Sequence, residues 1–584
     1  MRPVYKYRAE YPRFLGVGKG ATYYESNTKK WSSAWAPETG DFAPIGYIPE
    51  TEMEETYGYV DGGYGVMNEI GLTIGESTCA AELIAKPAGS DGSVALLDIR
   101  ELTLIAMERC ATSVCAVQTM GALAEAYGYY GADSSHVEAG EALTIADRVS
   151  GEAWVFHILA DDTGASAVWT ARRLKNREIA VVANQFIIGD IPGASSIESG
   201  FLFSANIRVV AARTGLWANG EPLNFAKTFG QPRGLLAPYA TRRQWRIFSM
   251  ALGEELSKTL LIDPDTVDEW GYDFAIELPP GQTFGSTSIM KALRDHYEGT
   301  KYDMTQGPAS GPFGDPARFD PADNSAIFPH DYVTATQAND GGRFERAISI
   351  FRCSYSFVSQ PALFHTTDNT QEKDYLNTPP AFWTAQYAPH SASYVLIFPQ
   401  ADHIPPSLAT GSLHQVDSIS QYWAHALVGN WAARFYLIAQ PLVVEVRDDV
   451  DKQTRADFRD LLLRNKTPNQ NELATFADAA AAAAVDRWWK LFWDLCARVK
   501  DGQRLDDRGA EKLNPTRIFY RASWLQQTGF FFNPQQGAHM NLFTNIPSQY
   551  YDLLNPRLQL ALAFLAGMLF TIILLRCCCG CRAA

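Results

Sequence analysis

Four apolar stretches follow one another between residues 142 and 188: ALTIAD (142–147), AWVFHIL (153–159), SAVWTAR (166–172) and IAVVANQFII (179–188). Each is rich in β-branched and aromatic residues. Turn formers such as Asp161, Asp162 and Gly164 stand between them, so the run reads as consecutive strands of an antiparallel meander. Just upstream, residues 96–127 carry Leu102, Ile105, Val117, Met120 and their neighbours at spacings of three and four, an amphipathic helix broken at most once. Further upstream, VMNEIGLTIGESTC (66–79) alternates around a glycine and predicts two short strands or a strand and a turn. A helix beside a meander makes a layered α+β sandwich.

Working outward, apolar periodicity predicts helices over 242–256, 417–431 and 474–499, and strands over 347–359 and 391–398. The last helix contains the run Ala479–Ala484, a strong helix former to which no function attaches. Residues 307–340 are dense in Pro, Gly and Asp and read as irregular. No repeat of domain-building length emerges.

The bulk numbers exclude some functions. With 46% hydrophobic and 20% charged residues, the 584-residue chain can bury a core. Lys and Arg total 50 against 65 Asp and Glu, a formal net charge of −15, and no basic stripe opposes a phosphate backbone, so nucleic acid is not a partner. Of nine cysteines, five are scattered through the body, too few for a disulfide framework in a chain this long. Cys110 and Cys115 fall five residues apart on the predicted helix, poor geometry for a bridge within it.

The other four, Cys577, Cys578, Cys579 and Cys581, follow LQLALAFLAGMLFTIILL (558–575), 18 uncharged residues between Arg557 and Arg576. That length is near the lower limit for a transmembrane helix. A buried core helix is the competing reading; the position, the flanking arginines and the cysteine run favour a membrane span. The cysteines suit S-palmitoylation better than a zinc site, whose paired CxxC spacing they lack. Arg576 and Arg582 weakly put the C-terminus in the cytosol and the body in the lumen or outside the cell. Residues 1–14, MRPVYKYRAEYPRF, contain no signal-peptide core, and without one the body would stay cytosolic. The sequon at Asn465 offers a glycosylation site if the body is luminal, weakened by the following Pro468.

No GxSxG, HExxH, P-loop or GxGxxG between strand and helix occurs, and the ten histidines lack ligand spacing. His157 sits within a strand signal and reads as packed rather than catalytic. The strings YGVMNEIGLTIGESTC (64–79), GEAWVFHILADDTG (151–164) and IAVVANQF (179–186) together resemble the dipeptidase A and secernin family of N-terminal-nucleophile cysteine peptidases, in its large eukaryotic form. The similarity continues in order through TRRQWRIFSMAL (241–252), GPFGDPARFD (311–320), AISIFRCSYSFVSQ (347–360), APHSASY (388–394), SQYWAHALVGNWA (420–432) and the region of Trp488 and Trp489.

The resemblance implies a four-layer αββα sandwich over 1–545 with a C-terminal helical region, followed by a linker (546–557), the span (558–575) and the Cys-rich tail (576–584). It implies a peptidase acting on small peptides, without metal or cofactor. Its nucleophile is a cysteine freed at the mature N-terminus, whose own α-amine serves as base, so no histidine is required. In related N-terminal-nucleophile enzymes of the bile-salt-hydrolase and penicillin-acylase type, an asparagine completes the oxyanion hole. Asn184 matches it by position, against a plainer role capping a turn. Thr78, with Ser77 beside it, falls near the second oxyanion donor. Arg243, with Arg242 as alternate, matches the arginine lining the nucleophile, against a surface helix position. Asn68 and Glu69 are expected to fix a turn; Glu69 and Glu76 are also the candidates to hold a substrate ammonium.

By the same resemblance, the nucleophilic cysteine and a leader are expected before the block that begins at Arg2. Met1 and Arg2 cannot act as nucleophile, and Cys79, lacking an α-amine, reads as a packed thiol. The expectations are therefore a dipeptidase read from a truncated start, an inactive membrane-anchored scaffold or trafficking protein of secernin type, or an acyl-amide hydrolase of the same fold.

Overall fold

The computed structural model describes residues 46–49, 55–90, 92–132, 136–231, 237–319, 344–361, 378–505 and 515–529, and the backbone of short strands within 2–33. Eight antiparallel strands make one sheet in sequence order: β1 (Arg2–Val4), β2 (Tyr59–Asp61), β3 (Gly65–Asn68), β4 (Thr73–Cys79), β5 (Gly140–Ala146), β6 (Ala153–Ala160), β7 (Ala167–Arg173) and β8 (Phe201–Phe203). The expected meander is its centre, and residues 66–79 supply β3 and β4. Period-two alternation in β6 serves two cores: Trp154, Phe156 and Ile158 enter one apolar cluster, Val155 and Leu159 another. Each such large side chain contributes about 1.5–3 kcal/mol by leaving water.

The first cluster is closed by α1 (Ile99–Arg109) and α2 (Ser113–Tyr127), through Leu102, Ile105, Val117 and Met120. These are the predicted helix with its break. Thr112 caps α2, its hydroxyl accepting from the Cys115 N–H at 3.3 Å. Cys110 and Cys115 form a disulfide across the break, with Cα atoms 5.5 Å apart. This corrects the expectation against a bridge: α1 has ended at Arg109, so the two cysteines do not share a helix.

After α3 (Ala237–Leu252) and α4 (Ser286–Leu293) comes a second, three-stranded antiparallel sheet of β9 (Tyr355–Gln360), β10 (Ala381–Gln386) and β11 (Val395–Ile397). It faces the first sheet. Thr73 Oγ1 donates to Ser359 Oγ at 2.6 Å, and Val60, Val66 and Met67 share a cluster with Val358 and Phe382. Helices α5 (Gln421–Ala433), α6 (Tyr436–Arg464) and α7 (Gln470–Arg498) follow. α7 opens with a capping box at Asn469 and Glu472, and within it Ala477, Ala481 and Ala484 give a side-chain-poor stripe buried in the second-sheet cluster. The architecture is thus α+β with antiparallel sheets. The chain divides into two compact units, Met1–Ile518 and Phe519–Ala584; within the second lies α8 (Ala522–Gln527). The candidate span 558–575 and the tail cysteines lie outside the described residues, as does the 545/546 boundary. Among the described residues no helix is long and apolar enough to cross a membrane.

Candidate active site

Of the fourth predicted strand, 179–188, only Ile179 lies in a strand, the two-residue Glu178–Ile179 paired with Ile276–Glu277. The reason lies in side chains that satisfy the backbone in place of a neighbouring strand. His157, fully buried in β6, accepts at Nε2 from the N–H of Ile187 (3.1 Å) and Ile188 (3.3 Å). Its ring packs on Phe186 and Phe225, centroids 4.9 and 5.9 Å away. From α3, Gln244 Nε2 donates to Val181 O at 3.1 Å and Arg243 Nη2 to Ala183 O at 3.0 Å. His157 is therefore packed, and it positions the segment beside it.

At the bend of this segment Asn184 has φ 59°, the left-handed region that asparagine tolerates better than most residues. Its backbone N–H donates to Ser77 Oγ at 3.1 Å and its side-chain Nδ2 to Thr78 O at 2.8 Å. Two guanidinium groups reach its oxygen: Arg243 Nη1 at 3.0 Å and Arg346 Nη1 at 3.5 Å. Arginine has no acceptor and a carbonyl no donor, so this network fixes which way the amide points. Arg243 Nε also donates to Tyr239 O one helical turn earlier (2.7 Å), and Arg346 Nη1 contacts the Tyr239 hydroxyl. Both cations lie over the Tyr239 ring, at 4.7 and 5.2 Å, where its π face offsets part of their repulsion.

Tyr239 and Arg346 open onto a cleft of about 200 Å³ that His296, Asp315, Arg318 and His390 also line. His390 Nδ1 lies 2.9 Å from Ser349 Oγ, and His296 Nδ1 2.9 Å from Glu298 Oε1. Burial holds the His390 imidazole well below its ordinary pKa, with His296 and Arg447 adding to the effect, so the ring is neutral. Among the described residues no group of three His, Cys, Asp or Glu side chains is arranged to hold a metal ion.

A model of peptidase family C69 matches residues 48–447, more than half of the chain. The chain is a member of family C69. This is the dipeptidase A and secernin family of cysteine peptidases, as the resemblance implied. No curated protein matches the chain. Ser77, Thr78, Asn184, Arg243 and Arg346 all fall inside the C69 match, whereas the block that begins at Arg2 starts before it and the region of Trp488 and Trp489 lies beyond it.

In this C69 chain Thr78, Asn184 and Arg243 come together. Arg242 does not join them: it pairs with Asp265 at 3.1 Å and Glu345 at 3.4 Å. Glu76 lies beside Thr78, its Oε1 accepting from Thr78 Oγ1 at 2.8 Å. Glu69 sits at the β3–β4 turn, the other end of β4, where its carboxylate accepts from Gly58 N at 2.8 Å. Asn68 fixes that turn as expected, accepting from Leu72 N at 2.9 Å and donating to Met107 O and Cys110 O. Asn465 holds Glu472 Oε2 at 2.8 Å through the nitrogen a glycan would occupy. Cys79 is fully buried, and Cys353 donates to Tyr355 O at 3.1 Å with its thiol pKa pushed up by burial. Tyr239 and Arg346 were not singled out from the sequence. Tyr239 stands four residues before Arg243 on α3, but ahead of the helix predicted over 242–256, so no sequence pattern marked it.

Proposed function

We propose that this C69 member is a hydrolase of dipeptides, with Asn184 stabilising the oxyanion formed when a thiol attacks the amide. One observation carries the reading: an oriented Asn184 amide with donor capacity to spare. Nδ2 commits one N–H to Thr78 O, and the other has no acceptor among the described residues. Two guanidiniums on Oδ1 polarise the amide and strengthen that donor. Such a donor is worth about 3 kcal/mol in the transition state. In this reading the second donor is a backbone N–H of Ser77–Thr78, Arg243 keeps Asn184 in place, and Glu76 is the carboxylate near enough to meet a substrate ammonium. The two facing sheets with their outer helices are read as the four layers of an αββα sandwich.

The attacking thiol is assigned to no described cysteine: Cys79 is fully buried, and burial raises the Cys353 thiol pKa. The Cys110–Cys115 bridge suits an oxidising compartment, which supports a luminal or extracellular body tethered through 558–575 with the tail cysteines acylated. A glycan at Asn465 would establish that topology.

The deciding experiment assays the full-length protein on alanyl-alanine and other dipeptides, with penicillin V as an acyl-amide control. The expected result is dipeptide hydrolysis that falls about 10²–10³-fold in kcat for Asn184→Ala. Turnover of the acyl-amide alone overturns the dipeptide assignment. An unchanged kcat for the variant overturns the site.

A further inference from the structure

We infer that the cleft beside Asn184 takes the free carboxylate of a short peptide, held between the guanidinium groups of Arg346 and Arg318. The inference rests on the dipeptide reading above and deepens it by naming the group the cleft recognises.

Two guanidinium groups in the cleft beside Asn184 stand without an ion-pair partner among the described residues. Arg346 reaches Asn184 Oδ1 and the Tyr239 hydroxyl, both through Nη1. It has no carboxylate partner among the described residues, and Nε and Nη2 have no acceptor there. Arg318 is tied to three backbone carbonyls, those of Asp315 (2.8 Å) and Ala317 (2.9 Å) through Nη1, and Met304 through Nη2 (2.5 Å). It too has no carboxylate partner among the described residues. Both line the one cleft. A carbonyl solvates a guanidinium but does not neutralise it, so two cations converge here with no direct ion pair among the described residues; Glu345 and Asp315 act on Arg318 only at longer range.

The acidic groups nearby do not supply it. Glu345 is engaged by Arg242 at 3.4 Å. Asp315 accepts from Ala317 N at 2.9 Å, and burial pushes its carboxyl pKa up, toward the neutral form. His390 and His296 share the cleft; the former is held neutral and the latter faces Glu298. A planar anion suits the two forks, because each guanidinium can offer a carboxylate two parallel donors.

Size narrows the ligand. At about 200 Å³ the cleft is smaller than the ~300–1,000 Å³ sites that enclose drug-sized molecules. Arg346 touches Asn184 itself, so an anion bound there lies next to the oxyanion position. A peptide whose scissile carbonyl met Asn184 would therefore place its terminal carboxylate in the cleft only if a single residue lay between. This makes the cleft a ruler for dipeptides.

Binding tests the inference separately from turnover. Calorimetry on the full chain at pH 7 would compare alanyl-alanine, alanyl-alaninamide and inorganic phosphate. The dipeptide should bind about 10–100-fold more tightly than its amide, the range for charge-assisted hydrogen bonds, and more tightly than phosphate. Arg318→Gln and Arg346→Gln should each close the gap between dipeptide and amide, and Arg318→Lys should restore part of it. Circular dichroism would confirm that each variant is folded. Equal binding of dipeptide and amide, no binding of either, or phosphate binding as tightly as the dipeptide overturns the inference, as does a gap that survives both glutamine variants. A dipeptide bound with this preference but never hydrolysed would instead overturn the proposed function and leave the recognition site standing.

Discussion

Arg243 donates to Asn184 Oδ1 at 3.0 Å while Asn184 donates onward to Thr78 O at 2.8 Å, so a helix, a bend and a strand are joined through one amide. The second arm of the Arg243 fork holds Ala183 O at 3.0 Å. Arg243→Gln should leave that carbonyl short of a donor and destabilise the fold by about 1–3 kcal/mol in urea unfolding. Arg243→Lys keeps the charge but loses the fork, and should recover part of the stability without restoring kcat. Full catalytic rescue by lysine would show that charge alone suffices and that amide orientation is not the role of Arg243.

The left-handed backbone at Asn184 yields a separate expectation. Glycine adopts φ 59° without strain, whereas alanine there costs about 1–2 kcal/mol. Asn184→Gly and Asn184→Ala should be equally impaired in hydrolysis, since both lack the amide. Asn184→Ala should nevertheless unfold at lower denaturant concentration. Equal stabilities would mean that the bend relaxes when the side chain is removed.

Much of this fold was legible because both buried faces of the meander carry their own alternation, as Trp154, Val155 and Phe156 illustrate. The stretch 181–188 was misread as a strand for a physical reason. Its apolar run is real, but its backbone partners are His157, Gln244 and Arg243, which no local pattern reveals. Helix α6 went unread because Pro441 signals a stop and the charged run 447–460 masks the buried Val443, Val450 and Phe458. Strand β10 follows Pro379 and Pro380, and its short run AFWTAQ carries no alternation that separates it from its surroundings. At the site, Thr78, Asn184 and Arg243 came from motif order. Arg346, 162 residues beyond Asn184, could be found only by folding the chain.

Two fully buried histidines, His157 and His425, and the desolvated His390 should set the acid limit of the fold. Burial lowers His157 and His425 to about 3 and holds His390 well below its ordinary value. An unfolded histidine titrates near 6.5. Between those values the unfolded state binds more protons, so stability is present above pH 6.5 and is lost as pH falls toward 3. Urea unfolding at pH 7 and pH 5 should show this loss. In His157→Phe the loss should be smaller, but stability at pH 7 should be lower because the Ile187 and Ile188 N–H groups lose their acceptor. A wild-type stability flat across this range contradicts the assignment of neutral buried rings.

Cys110 and Cys115, five positions apart, close a small loop across the α1–α2 break. The chain-entropy estimate for so short a loop is about 2 kcal/mol. The double variant Cys110→Ala/Cys115→Ala should lose about that much in urea unfolding, and reducing agent should reproduce the loss in the wild type alone. If reductant shifts both proteins equally, the bridge does not constrain this junction.

Glu141 is fully buried in β5, opposite Thr78 and next to Glu76. Burial, then the Glu76 charge, raises its pKa well above 4.5. The folded state therefore holds a proton that the unfolded state releases near 4.5. Between that pH and the raised folded value the folded form binds more protons, so stability falls as pH rises through the window. Glu141→Gln keeps the shape and cannot ionise. It should match the wild type near pH 4.5, exceed it at pH 8, and remove this share of the decline with rising pH, measured as the difference in urea midpoint between the two pH values. If the variant and the wild type decline in parallel, Glu141 is ionised within the fold and some other group sets the slope.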